Sequence, residues 1–172
     1  QGELLVQAVG EKAKVAYIMG RLGVSAQLQR KAGLEDTLKA HPGIEIVETQ
    51  SADWDNSKAL AITQDFLSKY PQGTLQAIIG QGPETVTGAT FAKQQGRTDV
   101  KFVVGDFPAD VKAAVADGTV YGTIDQDPAP QGEFGIRDAV AWLNGDKAAV
   151  PQPNHSLPLP IITKENVDQF PA

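Results

Sequence analysis

Residues 13–38 read AKVAYIMGRLGVSAQLQRKAGLEDTL: an apolar β-branched run, a turn carrying two glycines, then a stretch suited to a helix capped at Ser25. The same sequence of events repeats along the chain. Short apolar runs recur as IEIVETQ (44–50), LQAIIG (75–80), VKFVVG (100–105) and VYGTID (120–125), with amphipathic segments between them. Near-continuous apolar strands alternating with helices mark a parallel sheet covered on both faces. The expected fold is therefore α/β: a three-layer, Rossmann-like open sheet of about five parallel strands.

The helices between the strands have local support. Asp55 or Ser57 caps 57–70, where Leu60, Ile62, Phe66 and Leu67 share roughly one face, and Pro83 suits a first-turn position. Residues 1–10 read as a helix already under way, with no basic leader region and no cleavage pattern. A removed signal and a removed preceding lobe both fit that beginning. After residue 126 the character changes. A helix fits 131–144, and Pro151, Pro153, Pro158 and Pro160 then hold an extended stretch ending in IIT, 161–163. Residues 1–126 are expected to form an α/β lobe. Residues 127–172 are expected to be a return segment whose helix and edge strand pack elsewhere than on the main sheet.

Composition narrows the function. A length of 172 residues supports one full domain without staples. Fifteen basic residues against twenty-one acidic ones give a net charge of −6, so nucleic acid is not an expected partner. With no cysteine there is no thiolate nucleophile, no Cys-ligated zinc and no disulfide. No stretch approaches the roughly 18 apolar residues of a membrane span, and the chain is not expected to be membrane-embedded.

Ligands of open α/β sheets bind outside the carboxyl ends of the strands. Those ends carry Arg21, Ser25 and Arg30; Gln50, Asp53 and Trp54; Gln81 and Glu84; Asp106 and Phe107; Asp125, Gln126 and Asp127. The set combines hydrogen-bonding groups of both signs with a large aromatic and holds no nucleophile with its base. It suits a polyol: Arg is a planar fork of donors, Asp accepts hydroxyl protons, Gln does both, and an indole covers the C–H face of a sugar ring. Trp54, flanked by Asp53 and Asp55, is the strongest ligand candidate, whereas Trp142 lies on the 131–144 helix and is expected in core or interdomain packing. Glycines at 80 and 82 lack the third of a dinucleotide fingerprint. His41 and His155 sit in turn contexts away from the rim. No enzyme activity, cofactor or metal is expected.

The stretches AKVAYIMGRLGVSAQLQRKAGLEDTL, SADWD, LQAIIGQGPETVTGA, VVGDFPADVKAAVADG, GTIDQDPAPQG and ITKENVDQF together resemble the periplasmic ribose-binding-like (type I) solute receptors, which share their fold with LacI-type repressor ligand domains. The resemblance covers nearly all of 1–172. It implies a periplasmic substrate-binding component of an ABC-type importer, one that captures a sugar or sugar alcohol by hinge closure of two lobes and meets a membrane permease. The alternative it leaves is the effector domain of a LacI-type regulator. It implies ligand roles for Arg30, Trp54, Asp106 and Gln126. Where ribose receptors usually carry Asn-Asp, this chain has Gly82-Pro83, so a hydroxyl contact is lost or passes to Gln81. Where they read V-G-F-D, it reads V-G-D-F, which redirects Asp106. Both departures point away from ribose itself.

Overall fold

The computed structural model describes all 172 residues. Strands β1 (Ala13–Met19), β2 (Ile44–Ser51), β3 (Ala77–Gly80), β4 (Lys101–Val103) and β5 (Gly122–Ile124) are joined by helices α2 (Ser25–Lys39), α3 (Asn56–Lys69), α4 (Thr85–Gln94) and α5 (Ala109–Ala116). Helix α1 (Gly2–Val9) precedes the sheet; α6 (Pro128–Leu143) and β6 (Ile161–Thr163) follow it. The sheet order is β2-β1-β3-β4-β5-β6, and the pairings among the first five strands are parallel. The chain reverses its winding direction at β1, which puts a crevice between the carboxyl ends of β1 and β3.

The alternation of side chains along β1 divides the core. Val15 and Tyr17 face a layer closed by Leu4 and Leu5 of α1 and Leu34 of α2. Ala16 and Ile18 face the opposite layer, closed by Ile62 and Phe66 of α3, Ala89 of α4 and Val111 of α5. Both faces of the sheet are thus buried, which is why its strands read as continuous apolar runs.

Local signals met four different fates. Asp55 caps α3, accepting from the Lys58 amide at 2.8 Å. Ser25 does not cap α2; the cap position is Val24, without a side-chain bond, and Ser25 is the first helical residue. Pro83 stands just before α4, whose cap position is Glu84. Helix α6 starts three residues earlier than its apolar pattern indicates, because Asp127 caps it through the Ala129 amide at 2.9 Å and Pro128 fits its first turn.

The larger correction concerns the end of the chain. The expected edge strand at 161–163 exists, but it packs on the main sheet, antiparallel to β5, with Thr123 opposite Ile162. Strand β5 offers an unpaired outer edge, and an antiparallel neighbour can take it without a crossover helix. Pro160 lacks a donor but still contributes a carbonyl, which accepts from the Asp125 amide at 3.1 Å. Trp142 is not core: it lies half exposed on α6, a helix with no buried residue.

Candidate functional site

Arg30, on the second turn of α2, reaches across the sheet ends. Its Nη2 donates to Asp106 Oδ1 at 2.7 Å and to Gln126 Oε1 at 2.6 Å. Its Nη1 donates to the Gln81 carbonyl and, at 3.4 Å, to Asp106 Oδ2. One guanidinium thereby ties together the ends of β3, β4 and β5, and its side chain is only 15% exposed. A Cβ at Gly105 would stand 3.0 Å from Nη1, so the bare backbone there makes room for the fork.

Asp106 reaches this position through a left-handed backbone, φ 65°. Aspartate tolerates that region better than most residues. The Thr123 hydroxyl holds the turn by donating to the Asp106 carbonyl at 2.7 Å. The D-F order of this chain is accommodated in the same way: the left-handed turn sends Asp106 to Arg30, while Phe107 goes into the core and meets Phe170 edge-on at 6.5 Å.

Trp54 occupies the crevice between β1 and β3. A Cβ at Gly20 would collide with its indole, and one at Gly82 would lie 2.9 Å from its Cδ1, so the ring rests on two bare backbones. Asp53 and Trp54 are both left-handed, φ 55° and 59°, and Trp54 keeps 37% of its surface exposed. Asp53, Trp54 and Asp106 are the three non-glycine residues of the chain with positive φ, and all three lie on this rim. Strain of this kind concentrates at functional sites, where surrounding structure holds it in place.

Gln81 corrects the expectation for its side chain. It is fully buried: Oε1 accepts from the Gly20 amide at 2.7 Å, and Nε2 donates to the Tyr17 hydroxyl at 2.5 Å and the Gln27 carbonyl at 2.9 Å. Both of its donors are used inside the protein. Gln81 serves the rim through its main-chain carbonyl, which anchors Arg30, and through its grip on the β1 turn. Burial pushes the Tyr17 hydroxyl up to about 12, with the Gln81 bond opposing, so it stays protonated beneath the site.

Other rim candidates divide between the site and its supports. Gln50 turns to Asp65 at 3.1 Å, and Asp53 pairs with Lys58 at 2.6 Å. Arg21 is exposed. Asp125 borders the groove formed by Asp106, Phe107, Gln126 and the carboxyl-terminal Pro171 and Ala172. Burial, then the charges of Asp127 and Asp106, raise its carboxyl above the usual aspartate range. Sequence reasoning missed Ser51, which donates to the Gly20 carbonyl at 2.7 Å, and Thr123. Their only sequence signal is a small hydroxyl residue at or beside a strand end.

The arrangement presents hydrogen-bonding groups without a reactive one. Arg30 is locked in place, Gln126 bonds through its oxygen and leaves its amide donors unused within the chain, and an indole face stands beside them. The chain matches the model of the periplasmic binding protein domain over residues 1–147 and belongs to that family. It is 33% identical over 165 residues to the ribose import binding protein of Escherichia coli, covering 95% of this chain and 54% of that one. It is 27% identical to the xylitol-binding protein of Mycolicibacterium smegmatis, covering 96% of this chain and 47% of the relative. The chain thus spans about half the length of the curated relatives it matches. Among solved structures, it superposes with a TM-score of 0.87 on the solute-binding protein of an ABC transporter from Actinobacillus succinogenes carrying D-allose, at 27% identity over 98% of this chain and 58% of that one. A solute-binding protein from Agrobacterium vitis bound to tagatopyranose gives 0.85 at 30% identity, covering 96% and 55%.

Proposed function

We propose that this chain forms the second, ligand-gripping lobe of a two-lobed receptor for a sugar or sugar alcohol, and that the receptor hands its cargo to the membrane permease of an ABC importer from the periplasm. The observation that carries the reading is the guanidinium of Arg30, held by Asp106, Gln126 and the Gln81 carbonyl beside a half-exposed Trp54. The free amide donors of Gln126, the Asp106 carboxylate and an aromatic face suit a hydroxylated ring, and Arg30, whose Nη hydrogens are engaged within the chain, exchanges one of those bonds for a ligand hydroxyl. No group on the rim is placed to make or break a bond, so the reading is a binding protein and not an enzyme. Relatives named for ribose import support transport over a regulator's effector domain.

In this reading Arg30, Trp54, Asp106 and Gln126 contact the ligand, and Gln81 positions Arg30. Residues 127–160 run toward a partner lobe. The support for that is physical: Ile136 is 70% exposed and Leu143 84% exposed, and no residue between Ile124 and Ile162 is buried. Hinge closure would cover that surface and the rim together.

The test is a thermal-shift screen of the two-lobed protein against pentoses, hexoses and polyols. A ligand at 100 times its Kd should stabilise by about 2.7 kcal/mol. A panel in which nothing raises Tm would overturn the reading.

A further inference from the structure

Glu84 has the only buried carboxyl of the chain with no well-formed hydrogen bond to either oxygen; the amides of Glu84 and Gly82 act on it without bonds of good geometry. The residue is 2% exposed and stands at the head of α4, where its side chain makes no capping bond. A polar group sealed from water without a partner destabilises the fold, and native structures carry few of them. Where one persists it needs a cause, and such departures concentrate at functional sites.

The place of Glu84 says which molecule. A Cβ at Gly82 would collide with Glu84 Oε2 and would stand 2.9 Å from Trp54 Cδ1, so carboxyl and indole flank the same bare backbone. Of the two, the indole is the exposed neighbour: Trp54 keeps 37% of its surface open to solvent, against 2% for Glu84. The charged groups acting on Glu84 are Asp106, from the end of β4, and Arg30, from α2; both belong to the rim.

We propose that Glu84 is a specificity-determining residue of this rim, a carboxyl completed by one ligand hydroxyl when the indole of Trp54 moves off Gly82 on ligand entry. The proposal rests on the sugar or polyol reading and names the group that selects among such ligands. Burial raises the Glu84 carboxyl above its ordinary range, opposed by the amides of Glu84 and Gly82 and by Arg30 and reinforced by the Asp106 charge. A carboxyl accepts from a hydroxyl and, when protonated, also donates to one. Gly82 contributes by omission, since a Cβ there would meet both the ring and the carboxyl.

The proposal requires stability and affinity to move in opposite directions. The experiment compares wild type, Glu84→Met and Glu84→Gln of the two-lobed protein, by thermal unfolding and by calorimetric titration. The probe is whichever of D-ribose, D-allose, xylitol and myo-inositol binds wild type, together with its monodeoxy analogues. Glu84→Met, which removes the orphan at similar volume, should raise the unliganded Tm by about 2–4 °C or more. It should also weaken binding by about tenfold or more. One deoxy analogue that binds wild type poorly should bind Glu84→Met no worse than the parent sugar does, as coupling between that hydroxyl and Glu84 demands. Glu84→Gln keeps a donor and an acceptor and should hold most of the affinity, which guards against a methionine variant that folds badly. Unchanged affinity in Glu84→Met, or equal weakening toward every deoxy analogue, would overturn the proposal and leave the sugar-binding reading standing. A wild type that binds no probe would remove both.

Discussion

Residues 1–126 and residues 127–160 are built from the same kinds of amino acid, yet they bury them very differently. In the first region α1, α3, α4 and α5 hide apolar residues against the sheet, α2 buries Leu34 beside Gln27, and Phe66, Phe102, Leu4 and Ile78 are sealed from water. In the second, α6 is just as amphipathic but buries nothing, and Ile136, Val140, Trp142 and Leu143 face solvent. A helix's apolar stripe specifies that it needs a partner and not where that partner is. In 1–126 the sheet is the partner; in 127–160 the missing surface is, in our proposal, the other lobe of the receptor. An exposed apolar patch of this kind marks an interaction surface.

The contrast can be broken by mutation, and the largest effect belongs to the core. Phe66→Ala should destabilise the protein by about 3–5 kcal/mol in urea unfolding, because the ring leaves a cavity among packed neighbours. A loss below 1 kcal/mol, against this expectation, would mean that the α3 layer is looser than the structure has it. Next comes the rim. Arg30→Ala should weaken sugar binding by about 2–5 kcal/mol in calorimetric titration, since it strands Asp106 as well as removing the fork. Trp54→Ala should cost about 2 kcal/mol of affinity and cut the stabilisation by ligand at 100 times the wild-type Kd from about 2.7 to about 0.9 kcal/mol, while unliganded unfolding stays nearly unchanged; an unaltered shift would remove Trp54 from the site.

A pH dependence should follow from the two raised carboxyls. Glu84 and Asp125 bind their protons more tightly folded than unfolded, so their contribution to stability is complete below the ordinary values of 4.5 and 3.8 and declines as pH rises above them. Carboxyls held low at Glu48, Asp53, Asp99, Asp117 and Glu165 act in the opposite sense, so the comparison isolates Glu84: urea unfolding from pH 4 to 8 should show wild type losing stability relative to Glu84→Gln as pH rises. Equal slopes in the two proteins would show that Glu84 ionises as freely folded as unfolded. The smallest effect lies on α6. Leu143→Ser should change the unfolding free energy of the isolated chain by no more than about 0.5 kcal/mol while reducing its self-association in sedimentation. A larger loss would mean that α6 is packed after all.

Much of the lobe is legible in the residues themselves. The five apolar runs become the five parallel strands because a strand buried on both faces admits few polar residues. Their carboxyl ends are therefore known once the strands are known, and that places Arg30, Trp54, Asp106 and Gln126 on one edge. Gln81 shows where such reading stops. Whether a side chain at a strand end turns toward the ligand or into the protein depends on what stands opposite: the pairing of Gly80 with Ile18 sets Gln81 against the Gly20 amide and the Tyr17 hydroxyl. Composition carries no record of that register. Glu84 is similar, a charged residue beside a proline in the sequence and an orphaned carboxyl beneath an indole in space.

Local chemistry thus sufficed for the alternation of strand and helix, a cap for α3 at Asp55 or Ser57, and the polar character of the strand ends. Only the tertiary structure decided that 161–163 closes the sheet, that Asp106 turns left-handed to meet Arg30, and that Gln81 looks inward. The reason is range. Periodicity and capping act over a few residues, whereas those three outcomes pair groups dozens of positions apart, and they exist only once the packed sheet has brought its edges together.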